Sequence, residues 1–148
     1  MKYNDAEDLL ASFKSGQVYL FHGKIKTEQP HYHVLLNKDF SGTSPMIYLS
    51  VSTTKIEKRE SNRVYNNFPE ETLVIVEIGE VDFLKQKSCF DCNSIYSCSI
   101  YEIYWEYLSK DAKLIWNLPD YILQKIYQWI LVSPAVSDVT KKAIWLLQ

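Results

Sequence analysis

His31-Tyr32-His33-Val34-Leu35-Leu36-Asn37 reads as a β-strand. The unbroken apolar run at 34–36 leaves no polar face, so both faces of this strand are expected to be covered. Pro30 cannot donate to a ladder and marks the start of the strand. Residues 38–45 are rich in Ser, Gly and Asp and form a turn. Beyond it Met46–Thr53 (MIYLSVST) alternates as a strand does, with β-branched and aromatic residues in support.

Outward from this pair, strands are expected at 17–21, 72–78 (TLVIVEI, the clearest core strand) and 88–92, with a turn over 93–97. A short helix is expected at 5–13, where acids fill the first turn and complement the helix dipole. A helical turn is expected at 80–84. Residues 54–68 are charged and read as a long loop with at most one helical turn, a length that is often functional in a compact domain. After residue 98 the apolar spacing changes to three and four, which predicts helices at 99–108 and 120–132. A last helix is expected to start at Pro134 and Ser137, with Val139, Ala143, Ile144 and Leu147 on one face. The fold class is therefore α+β in a single domain, 1–148. Its β-rich body is 15–98 and its short C-terminal helices lie in 99–148. Short strands joined by short turns close most economically into a small barrel.

The chain has 148 residues, enough for one sizeable core, and its 47% hydrophobic and 23% charged residues are those of a globular domain. Net charge is −2, which excludes a surface that is basic throughout. The distribution is uneven: seven Lys/Arg stand against four acids over 22–63, whereas nine acids stand against three lysines over 70–111. The first segment can offer a basic face to phosphates or to an acidic protein. Residues 1–8 are polar and acidic, without the apolar core of a secretory signal, and no apolar run approaches a membrane span. Cys89, Cys92 and Cys98 are odd in number and crowded. A reducing cytoplasm and buried thiols are expected, since Cys-x-x-Cys lacks here the four ligands of a structural zinc site.

Two groups of residues could carry chemistry. His31 and His33 point to one face of their strand, with Tyr32 on the other. They could act as a general acid/base pair, bind a metal, or line a wet strand end. Ser52, Thr53 and Lys55 lie where the next strand ends, and could hold a phosphate oxygen and its charge. His22 stands apart and is read as structural or exposed. There is no P-loop, dinucleotide fingerprint, nucleophile elbow or zincin motif.

Over about residues 15–105 the order of elements resembles the MazF/PemK/Kid family of toxin endoribonucleases. The resemblance is carried by Gly16-Gln17-Val18-Tyr19, by the proline-flanked strand at 30–37 and by the Ser44-Pro45 turn. It continues in the strand ending at Ser52-Thr53, the strand at 73–78 and the segment Ser88-Cys-Phe-Asp-Cys-Asn93. It implies an SH3-like barrel, a homodimer, no cofactor and a cytoplasmic site of action. It also implies metal-independent cleavage of single-stranded RNA, through attack of a ribose 2′-oxygen on the neighbouring phosphate. A cognate antitoxin protein would neutralise the activity, displacing the 54–68 loop that gates the groove.

The family's catalytic hydroxyl falls on Thr53, with Ser52 adjacent. Its arginine position falls on His31, and the usual Arg-Pro pair is absent. The resemblance then makes His31 the general base or acid and His33 its partner. Lys24, Lys26 or Lys55 supplies the missing cation, and Tyr32 or Tyr65 stacks an unpaired base. Two other readings stay open. One is a non-catalytic RNA- or protein-binding module on the same barrel. The other is a phage or mobile-element interaction protein that docks through Trp105, Trp116, Trp129 and Trp145.

Overall fold

The computed structural model describes residues 4–22, 30–41, 45–109 and 112–147. Seven strands and five α-helices are found among them. They are α1 (Ala6–Ala11), β1 (Gln17–Phe21), β2 (His31–Leu35), β3 (Met46–Thr53), α2 (Ile56–Tyr65), β4 (Leu73–Val76), β5 (Ser88–Asp91), β6 (Tyr96–Ser99), α3 (Ile100–Leu108), β7 (Lys113–Asn117), α4 (Asp120–Val132) and α5 (Asp138–Ala143). No described helix is long and apolar enough to cross a membrane.

The sheet is antiparallel, in the order β4-β5-β3-β2-β1-β7. β3 is its pivot. The first half of β3 pairs with β6, and Ser52 and Thr53 at its end pair with Phe90 and Cys89 of β5. Asn37 closes the β2–β3 turn through its side chain, donating to the Met46 carbonyl at 2.9 Å and accepting from the Tyr48 amide at 2.8 Å. Gly16 sets the start of β1. Its φ is +84°, a conformation strained for any residue with a side chain, and a Cβ there would stand 2.9 Å from Leu123 Cδ2, so glycine is favoured.

The run at 34–36 is buried because both faces of β2 are covered, as its composition predicts. Val34 and Leu36 share one cluster with Val18, Phe90, Ile122 and Ile126, which packs α4 on that face. Leu35 shares the other cluster with Tyr19, Phe21, Ile47, Leu9 and Ile103, which packs α1 and α3 on the opposite face. Helices therefore sandwich the sheet, where the sequence suggested a barrel with helices appended. No pairing joins the edge strands β4 and β7 among the described residues, so the sheet is open at the level of its hydrogen bonds.

Several elements differ from expectation. The segment at 54–68 is built around the ten-residue helix α2, not around a loop. β6 occupies the end of the expected 93–97 turn and runs on to Ser99, whose side chain caps α3 in a reciprocal box with Glu102. The C-terminal segment is not all helix, because β7 adds to β1. The strand at 72–78 shortens to β4 and lies at a sheet edge, with Ile75 and Ile78 exposed. Residues 80–84 form turns rather than helix. In α5 the buried side is Lys141 and Ile144, whereas Val139 and Ala143 are exposed.

Candidate functional site

The end of β2, the end of β3 and the start of α2 converge on a groove of about 470 Å³. Pro30, His31 and Tyr32 form one wall, and 51–55 form the floor. Lys58 and Arg59 of α2, with Leu84, Lys85 and Ser88, complete the lining. Four Lys/Arg line this groove and, among the described residues, no carboxylate does. A concave surface with one sign of charge concentrates anions.

His31 and Thr53 both line the groove. The β2–β3 register ends at the His33–Val51 pair, and each of the two residues lies two positions beyond it, on the same face of its own strand as the paired residue. The His31 ring makes a hydrogen bond with the Ser52 backbone. Its pKa is lowered from the ordinary value, first by desolvation, against the opposing effect of that hydrogen bond, and then by His22, Lys55 and Arg59. His31 is therefore a neutral imidazole at pH 7, with the basic nitrogen that proton abstraction needs. The Thr53 hydroxyl oxygen accepts the Lys55 amide at 3.1 Å, which leaves its own proton to donate. Ser52 is buried, and Lys55 is exposed at the N-terminus of α2.

His33 does not join this group. It is 2% exposed, and its ring stacks on Phe21 with centroids 3.9 Å apart. Its Nδ1 donates to the His31 carbonyl at 2.8 Å. Burial lowers its pKa to about 4, against the opposing hydrogen bonds with the His31 and Tyr19 backbone. The expected acid/base pair thus splits into one groove histidine and one core histidine. Tyr32 points to the other face, where its ring packs 5.0 Å from Phe83, and its remaining surface lines the groove beside Pro30 and Leu84. Lys24 and Lys26 lie outside the described residues. Tyr65 is almost fully exposed at the far end of α2.

The three cysteines are buried free thiols. Burial, and then Asp91, raise Cys89 to about 11. Burial likewise pushes Cys92 upward, and its Sγ lies 3.6 Å from the Ile126 carbonyl. Protonated, packed thiols of this kind are poor nucleophiles.

Sequence reading missed Lys58, Arg59 and Lys85. The signal for the first two was present: Lys55, Lys58 and Arg59 are spaced three and four apart, and so share one face of a helix. Reading the segment as a loop hid it. Arg59 Nη1 lies 3.4 Å from Asp91 Oδ2 and 3.5 Å from Ser94 Oγ, which ties α2 to β5 and the turn after it. No protein-family model matches the chain, and no curated protein matches it.

Proposed function

We propose that the groove binds the backbone of single-stranded RNA and cleaves it by transesterification. The observation that carries this reading is the meeting of a histidine, a threonine hydroxyl and four Lys/Arg side chains in one groove that, among the described residues, no carboxylate lines. Phosphate contacts supply most of the affinity of such a site, and Lys or Arg makes them.

Neutral His31 takes the proton of a ribose 2′-hydroxyl. The 2′-oxygen attacks the adjacent phosphorus as the bond to the 5′-oxygen breaks. The departing oxygen takes a proton from water, and the imidazolium later returns its own to solvent. The products are a 2′,3′-cyclic phosphate and a 5′-hydroxyl end. Thr53 donates to a non-bridging oxygen, and Arg59 with Lys55 or Lys58 stabilises the charge that develops there. Arg59 thus fills the part that the family arginine would play, which removes the main difficulty raised by His31. Tyr32, Pro30 and Leu84 give the groove apolar surface against which an unpaired base can pack.

In this reading the chain is a divergent MazF/PemK-like toxin acting in the cytoplasm. Its sheet corresponds to an SH3-like barrel opened between β4 and β7, the chain works as a homodimer, and a cognate antitoxin covers the groove. The test is an oligoribonucleotide with one 2′-deoxy sugar at the mapped cleavage site. The parent is expected to give cyclic-phosphate ends, with cleavage at the substituted position abolished. Continued cleavage there would remove the 2′-oxygen from the mechanism.

One observation favours a second reading, a module that binds RNA without cutting it. Burial of His33 leaves His31 as the one histidine lining the groove among the described residues. Saturable binding with every phosphodiester left intact is the result that selects it.

A further inference from the structure

Arg59 enters the groove from a helix that buries no side chain, so packing alone does not fix it. What holds it comes from the sheet. Its Nη1 is shared between Asp91 Oδ2 at 3.4 Å and Ser94 Oγ at 3.5 Å. Asp91 is 8% exposed, at the end of β5. Its second oxygen, Oδ1, accepts the Asn93 amide at 3.0 Å. Asn93 is locked in turn, donating from Nδ2 to Thr72 Oγ1 at 2.8 Å and accepting at Oδ1 from Ser133 Oγ at 2.6 Å. A nearly buried carboxylate with both oxygens engaged, backed by a turn tied to the start of β4 and the end of α4, is a rigid fixture. It grips one nitrogen of a guanidinium whose fork carries five N–H donors.

We propose that Asp91 is a positioning residue of the groove, holding the Arg59 guanidinium so that its remaining N–H groups meet a bound phosphate. This rests on the reading of the groove as an RNA site. It runs against simple charge counting, by which a carboxylate behind the groove weakens anion binding. A partly buried charge pair that orders a long side chain lowers the conformational entropy lost when that side chain meets its ligand. The short side chain matters, because aspartate can reach Arg59 with one oxygen while the other caps the turn.

The experiment compares the full-length chain with Arg59→Ala, Asp91→Asn and the double variant. The probe is a short single-stranded oligoribonucleotide carrying 2′-O-methyl groups, so that it cannot be cut, and a fluorophore. Dissociation constants are measured against KCl concentration. Asp91→Asn keeps an oxygen for the Asn93 amide and loses the charge that holds Arg59. Arg59→Ala is expected to weaken binding about fivefold at 0.1 M salt and to lower the salt slope by about 0.7, the loss of one phosphate contact to a single strand. Asp91→Asn is expected to reproduce both changes and to add nothing in the Arg59→Ala background.

Asp91→Glu, which keeps the charge but displaces it by a methylene, should show the same loss, and serves if the asparagine variant does not fold. Tighter binding by Asp91→Asn would make Asp91 a mere neutraliser and overturn the proposal. So would an Arg59→Ala variant that binds as wild type does, or a further loss on adding Asp91→Asn to Arg59→Ala. A wild type that binds no RNA overturns this and the function together. Binding without cleavage of unmodified RNA leaves Asp91 in its place and removes only the nuclease chemistry.

Discussion

Acidification from pH 6.5 to about 4 is expected to remove up to about 3 kcal/mol of stability through His33 alone. The native ring holds its proton only below about 4, whereas in the unfolded chain it titrates near 6.5. Each pKa unit of difference is worth about 1.4 kcal/mol. Between those two values the unfolded state binds more protons, so unfolding gains on folding as the pH falls. Above pH 6.5 the contribution is fully present, and below 4 both states are protonated and the loss is complete. The cause is burial: the ring lies against Phe21 under the α1/α3 side of the sheet, where a cation has no solvent. Urea midpoints measured from pH 7 to pH 4 should fall more steeply for the wild type than for His33→Phe, which keeps a ring against Phe21 and cannot titrate. Parallel curves would show that His33 is charged in the native state, and the division between core and groove histidine would be lost.

Replacing His31 is expected to cost catalysis and little else. His31→Ala removes the general base, and such groups typically contribute about 10²- to 10⁴-fold in rate. The side chain is half-exposed at a strand end, so stability should change far less than for His33. The pH profile carries a second expectation. Cleavage needs the neutral ring, and desolvation holds the His31 pKa below its ordinary 6.5. The acid limb of kcat/KM should therefore fall below pH 6.5 and disappear in His31→Ala. A variant that cleaves within tenfold of wild type, or an acid limb above 6.5, would exclude His31 as the base.

Much of this was legible in residues 31–37 and 46–53. Composition alone showed a two-sided strand, and alternation put His31 and His33 on one face. What it could not show was depth. Register with β1 sets Tyr19 opposite His33 and Phe21 opposite His31, and the Phe21 ring reaches across the diagonal to stack on His33, while the end of β3 and the start of α2 leave His31 in the groove; all of these contacts are distant in sequence. β7 escaped for a related reason. Lys113–Asn117 is an edge strand in which the neighbours Lys113 and Leu114 are both exposed, as are Trp116 and Asn117, so burial does not alternate within either pair, and pairing with β1 defines the strand. α2 escaped because it buries nothing and so carries no apolar stripe. Helix-favouring Glu, Lys and Arg, together with the Glu60–Arg63 pair, sustain it. The helices at 100–108 and 120–132 bury one face each, and these the sequence showed well.

Whether RNA binds in this groove can be read directly by nuclear magnetic resonance. Backbone amide shifts of the isotope-labelled chain are followed during titration with a single-stranded oligoribonucleotide blocked against cleavage. Perturbations are expected at His31 and Tyr32, across 52–59 and at 84–88, saturating together. Perturbations centred instead on the exposed Tyr101 and Trp105 of α3, with the groove silent, would contradict RNA binding in the groove and make the aromatic helix the working surface.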